Sequence, residues 1–313
     1  EAVANYKKAI SLKPDYVQAY NNLGVLYKDN KHYENAIKMF TKAMEIQPDH
    51  QNSYYNIALI KQDQGLGEEA VEFLLKLLDL NPDHNDARLN SKRLCNELGI
   101  KFNKDRNYNS ALKYFKVLTV LGPSESVGFY NMGNTYLELE DFKNAETSFE
   151  ECLRIDPKYE SAHANLGSVY RNLGKIEKSL RCYDEAIKID PTKPNNFYNR
   201  AITFKEAEKI DEAEDDYRRA IDLDPKHIGS QHNLALIHEE RGQVKEALNI
   251  IKNILEFETS HSNVNHSISL MSLLLGCLRE GWKYYDSRWE VSPGNKVKWP
   301  FSKELLWKGE KGK

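Results

Sequence analysis

The sequence has no long hydrophobic run. Apolar stretches are short, as at Leu273-Leu274-Leu275, and none approaches the ~20 residues a membrane span needs. No signal peptide opens the chain, whose first residues already follow a helical pattern. The chain is therefore expected to be a piece of a longer one with its start missing. No charge of one sign dominates either: 44 Lys and Arg against 47 Asp and Glu leave a net −3. That balance lacks the basic stripe of a nucleic-acid binder, and no nucleic-acid partner or membrane insertion is expected. Cysteine is scarce. Cys95, Cys152, Cys182 and Cys277 form no C-x-x-C pair and no metal or disulfide framework. Free thiols used as small hydrophobes fit a reducing, cytoplasmic setting.

What the chain does contain is self-similarity at a period of 34. Small residues recur in one column at Gly24, Ala58, Gly133, Gly167, Ala201 and Ala235, and in another at Ala36, Ala70, Ala145, Ser179, Ala213 and Ala247. Pro14, Pro48 and Pro82 share that spacing, as do Pro123, Pro157, Pro191 and Pro225. Within each copy, apolar residues return at helical spacing in two stretches, such as Leu23, Leu26 and Tyr27, then Ile37, Phe40 and Ala43. Proline ends the second helix because it breaks the backbone ladder. One helix pair cannot bury its apolar face alone, so stacked copies must share a continuous core.

These columns resemble the tetratricopeptide repeat. The resemblance implies an all-α, right-handed solenoid superhelix of antiparallel helix pairs over residues 1–289. Residues 1–16 read as the second helix of a truncated repeat, and seven repeats begin near 17, 51, 85, 126, 160, 194 and 228. A degenerate copy follows at 262–289, keeping Gly276, Gly281, Trp282 and Tyr285 but lacking the usual alanine. Pro82 and Pro123 are 41 apart, so seven residues are inserted before Gly99. Seven residues make almost two turns, which predicts a lengthened first helix, with a longer loop as the alternative.

The resemblance also implies that first helices line a concave groove. The residue two before the Gly24 column points into it: Asn22, Asn56, Glu97, Asn131, Asn165, Asn199 and Asn233, with Asn90 two turns before Glu97. An asparagine amide carries both a donor and an acceptor, matching an extended peptide backbone. The file is similar to the asparagine ladder in the repeat region of O-linked N-acetylglucosamine transferases, and implies a protein or extended-peptide ligand. The alternative is a solvated family habit with no ligand. Tyr55, Tyr130 and Tyr198, one residue earlier, either pack on a bound segment or pad adjacent helices. That column, with Asn21, Asn96, Ala164 and His232 at its other places, contains no lysine. The resemblance to receptors for chaperone tails, whose carboxylate clamp requires one there, therefore fails.

Nothing points to catalysis in this chain, to a cofactor or to a metal. Gly65-Leu66-Gly67-Glu68-Glu69-Ala70 matches a dinucleotide fingerprint but falls between two helices rather than after a strand. His232 and His238 are six apart, and His261 and His266 five, neither of which is the helical spacing of metal ligands. Asp215-Asp216 and Glu239-Glu240 read as solvated faces. The aromatic end Glu280–Trp289, then Trp299, Trp307 and Gly309–Lys313, resembles a junction in bacterial repeat proteins that precedes a glycosyltransferase-like domain. Residues 290–313 then form a linker or cap toward that domain. Three functions are expected in turn: a peptide-binding interaction module, the substrate-recruiting arm of a glycosyltransferase, and a self-associating scaffold.

Overall fold

The computed structural model describes residues 1–258, 261–285 and 287; the end segment with Trp289, Trp299, Trp307 and Gly309–Lys313 lies outside them. The described residues form seventeen helices and no strand, an all-α solenoid divided into two compact units at Pro157.

The first unit begins with a single helix, α1 (Ala2–Leu12), packed on α2. Four antiparallel pairs follow: α2 (Val17–Asp29) with α3 (Tyr33–Ile46), α4 (Gln51–Asp63) with α5 (Gly67–Leu80), α6 (Asn85–Lys104) with α7 (Tyr108–Leu121), and α8 (Ser126–Glu138) with α9 (Phe142–Ile155). The second unit holds α10 (Glu160–Asn172) with α11 (Ile176–Ile189), α12 (Pro194–Glu206) with α13 (Ile210–Leu223), and α14 (Ile228–Glu240) with α15 (Val244–Ile254). It ends on α16 (Ser262–Leu274) with the short α17 (Leu278–Tyr284).

Each regular second helix stops two residues before its proline, and the intervening residue is extended, as at Gln47 and Asp190. The proline ring excludes the helical conformation from the residue before it. The turn inside each pair follows another rule. A residue with left-handed φ stands at the same place in all eight described pairs: Lys31, Gly65, Arg106, Glu140, Gly174, Glu208, Gly242 and Gly276. The next amide reaches back five residues, as from Lys175 N to Tyr170 O at 2.8 Å. This closing bond satisfies a carbonyl that the helix end leaves open. The fingerprint-like Gly65–Ala70 segment is such a turn between α4 and α5, which leaves no strand before it.

The small-residue column has a steric cause. A Cβ added at Gly24, Gly99, Gly133 or Gly167 would stand 2.4–2.9 Å from an aromatic ring sixteen residues on. Those rings are Phe40, Phe115, Phe149 and Tyr183, and all four are buried. In the last pair Gly281 occupies the alanine column, buried against Leu273, so glycine takes the place of the absent alanine. The buried Ser269 donates to Gly281 O at 2.8 Å.

The inserted residues lengthen α6 to 20 residues, against 13 in the other first helices. The expectation of a longer helix holds, because two extra turns return both ends to the register their neighbours require. Cys95 and Cys152 are buried, and burial pushes both thiols up to about 12.

Candidate functional site

The asparagine column lies half-buried along the first helices of each unit. In the first unit its amides are already engaged. Asn131 Nδ2 donates to Asn96 Oδ1 at 2.9 Å, and Asn90 Nδ2 to the Tyr55 hydroxyl at 2.9 Å. Asn56 accepts from Lys28 Nζ at 2.7 Å and donates to Asn52 O at 2.9 Å. Asn22 accepts from Gln18 Nε2 at 3.1 Å and donates to the Tyr6 hydroxyl at 3.5 Å. The exception, Glu97, is exposed and pairs with Arg93 of its own helix at 2.9 Å.

Two of these bonds follow one rule: an asparagine reaches back 35 residues to the side chain just before the column in the preceding repeat. The insertion makes this possible twice on one helix. Asn90 meets the repeat before α6, and Asn96 meets the repeat after it. The second unit repeats the rule where His232 Nε2 lies 3.0 Å from Ser267 Oγ. Counting 34 on from Asn233 reaches Ser267, so the spacing contained this position. Burial, with His261 and Lys205 nearby, pushes the His232 imidazole below its ordinary value.

Asn165 also has a partner, whereas Asn199 and Asn233 form no side-chain hydrogen bond among the described residues. Each amide thus has a donor and an acceptor not bonded to another side chain among the described residues. The three tyrosines are half-buried and pack inside the fold. Tyr55 lies 5.4 Å from the His84 ring, Tyr130 lies 6.0 Å from Phe149, and Tyr198 lies 4.9 Å from His227. Tyr55 and Tyr198 thus reach across to the turn that leads into the following repeat.

Next to Asn199, the apolar column of Leu23, Ile57, Leu98, Met132 and Leu166 is broken by Arg200. Its guanidinium grips Asp216 through Nε and Nη2, both at 2.7 Å, and Asp184 through Nη1 at 2.6 Å. It also lies 5.7 Å from the Phe197 and Phe204 ring centres. Asp216 is only 6% exposed, so the expectation of a solvated face is corrected there; Asp215 is exposed. Burial raises the Asp216 carboxyl above its ordinary value although Arg200 pulls the other way. An arginine in an apolar column, sixteen residues before an aspartate, was the available signal.

Among the described residues, no group of three or more His, Cys, Asp or Glu side chains is arranged for a metal, and no helix is long and apolar enough to cross a membrane.

Family models described as tetratricopeptide repeat match residues 17–50, 51–84, 126–159, 161–193 and 195–227, and one described as TPR repeat matches 1–31. A search of curated proteins yields no match. Among solved structures, MamA (residue 41 to the end) from Desulfovibrio magneticus RS-1 is similar at 20% identity and a TM-score of 0.51, covering 55% of this chain and 97% of that one. PilW, described as a widely conserved type IV pilus biogenesis factor, is similar at 19% identity and a TM-score of 0.57, covering 68% of this chain and 96% of that one. At such identities the likeness shows the fold alone. The family matches together span more than half of the chain, at the period of its helix pairs, and the chain belongs to the tetratricopeptide repeat family.

Proposed function

We propose that this chain is a protein-interaction module that holds an extended polypeptide along the face of its first helices. The observation that carries the reading is the pair Asn199 and Asn233. They stand at one column of α12 and α14, and neither amide is bonded to another side chain or carbonyl among the described residues. A free amide meets the N–H and C=O of an extended backbone without reading its side chains. In the first unit the same column mainly ties repeats together, so Asn22, Asn56, Asn90 and Asn131 would contribute less to binding.

The test uses peptides selected on the wild-type protein from a random library. Asn199→Ala/Asn233→Ala should weaken them about tenfold, the loss of one or two hydrogen bonds. N-methylation of the peptide backbone should abolish binding, while single side-chain changes are tolerated. Unchanged binding by the double variant would sink the reading. A substrate-recruiting arm of a glycosyltransferase would use the same face, and a catalytic domain encoded beside this chain separates that reading from a free-standing module. A self-associating scaffold instead requires sedimentation above the monomer. Cys95, Cys152, Cys182 and Cys277 form no disulfide with one another, which fits a cytoplasmic setting.

A further inference from the structure

On the second helices, two positions one turn apart face outward. In α3, α9 and α11 they hold an ion pair: Lys42 with Glu45, Glu151 with Arg154 at 2.8 Å, and Glu185 with Lys188 at 3.2 Å. In α5 and α13 they hold opposite charges, Lys76 and Asp79, Arg219 and Asp222. In α7 the same two positions are Val117 and Val120, and Val120 is 75% exposed.

Beside them a groove of about 430 Å3 opens between α5 and α7, floored by Leu75, Leu78 and Leu121. Its rim carries Arg88 and Lys116 against one acid, Asp79. Among the described residues Arg88 hydrogen-bonds main-chain carbonyls, Pro82 O at 2.5 Å and Leu121 O at 3.4 Å, and forms no ion pair with a carboxylate. Lys116 has no ion-pair partner among the described residues.

We propose that this groove is a second docking surface, one that takes an acidic amphipathic helix from a partner protein. An apolar patch where the other repeats place charges marks a contact surface. A cleft between two helices accepts the apolar ridge of a third. Carboxylates flanking that ridge would meet Arg88 and Lys116. Apart from Pro82 and Arg88 the lining belongs to the second helices α5 and α7, and none of it is a residue of the asparagine column.

The probe is a fluorescein-labelled helical peptide of roughly 16 residues, with leucine at helical spacing and glutamate flanks, beside a lysine-flanked twin. Val117→Lys/Val120→Glu restores the charge types of α3, α5 and α13. Val120 is exposed, the lysine stem keeps an apolar contact where the half-buried Val117 packs on the core, and an unchanged thermal melt verifies that the variant is folded. By fluorescence anisotropy, the glutamate peptide should bind the wild type saturably and lose about tenfold in affinity to the double variant, to added salt and to the lysine flanks. No binding, equal binding of the twins, or an unchanged affinity in the double variant would overturn the proposal. Self-association that the double variant abolishes would also overturn it, by assigning the groove to a second copy. Loss of peptide binding in Asn199→Ala/Asn233→Ala would overturn it as well, by placing the peptide on the other face.

Discussion

Asn131 donates its side-chain amide to Oδ1 of Asn96, 2.9 Å away in the preceding repeat. The bond joins α8 to the lengthened α6 and occupies a group that the proposed peptide ligand would otherwise use. Asn96→Ala should lower the stability of the first unit by about 1 kcal/mol in chemical denaturation. Peptide capture should not weaken, because the change frees the Asn131 amide. Weakened capture without loss of stability would show that this pair serves the ligand rather than the repeat stack.

Gly133 leaves 2.6 Å between an added Cβ and the Phe149 ring. Gly133→Ala should therefore cost roughly 1–3 kcal/mol through overpacking. A second change, Phe149→Leu, should recover part of the loss, since Ala58 and Leu74 already share the equivalent arrangement in one core cluster. Thermal melts of the single and double variants give the coupling.

Lys31, Arg106, Glu140 and Glu208 hold left-handed backbone at the turn where the other four pairs use glycine. Changing each to glycine should stabilise the protein by roughly 0.5–1 kcal/mol per site, since the left-handed conformation strains a residue that carries a Cβ. Gly174→Ala should do the reverse. Midpoints of denaturation check both signs.

Arg200 sits where the other repeats place an apolar residue, and its partner Asp216 where most of them do. Asp216→Ala should cost about 3 kcal/mol, because the guanidinium stays in the fold with only Asp184 to meet it. Arg200→Leu/Asp216→Ile installs the residue types of the neighbouring columns and should be close to neutral or stabilising. A double variant as unstable as the single one would mean that the ion pair itself contributes more than apolar packing does.

Glu214 accepts from Arg218 Nη2 at 2.6 Å and also pairs with Arg241. Burial alone would raise its carboxyl, but the two guanidinium groups outweigh burial and hold it below its ordinary value. A depressed acid contributes stability above its unfolded pKa of about 4.5 and loses that contribution as the pH falls through the folded value. Glu214→Gln should flatten this part of the acid limb in a series of melts below pH 5, and a limb unchanged in slope would refute the assignment.

The lengthened α6 shows how far the sequence could be read. Proline spacing alone located seven extra residues, and helical periodicity said that they add two turns. That those turns let Asn90 look backward and Asn96 forward required the neighbouring helices in place. The tyrosines were ambiguous for the same reason. Tyr55, Tyr130 and Tyr198 have one side-chain chemistry, and only the positions of His84, Phe149 and His227 show that they pack within the fold.

The sequence by itself determined the period, the helix pairs, the proline stops and the small-residue columns. These are local or strictly repeated properties, set by backbone hydrogen bonding and by the residue types one helix pair needs. Tertiary structure alone decided which asparagines remain free, that Arg200 and Asp216 meet inside the stack, and that Val117 and Val120 border a groove with a basic rim. Each of those depends on side chains brought together from sixteen or more residues apart in the sequence. The contact between them is set by packing, and the repeat pattern that placed each residue on its helix does not contain it.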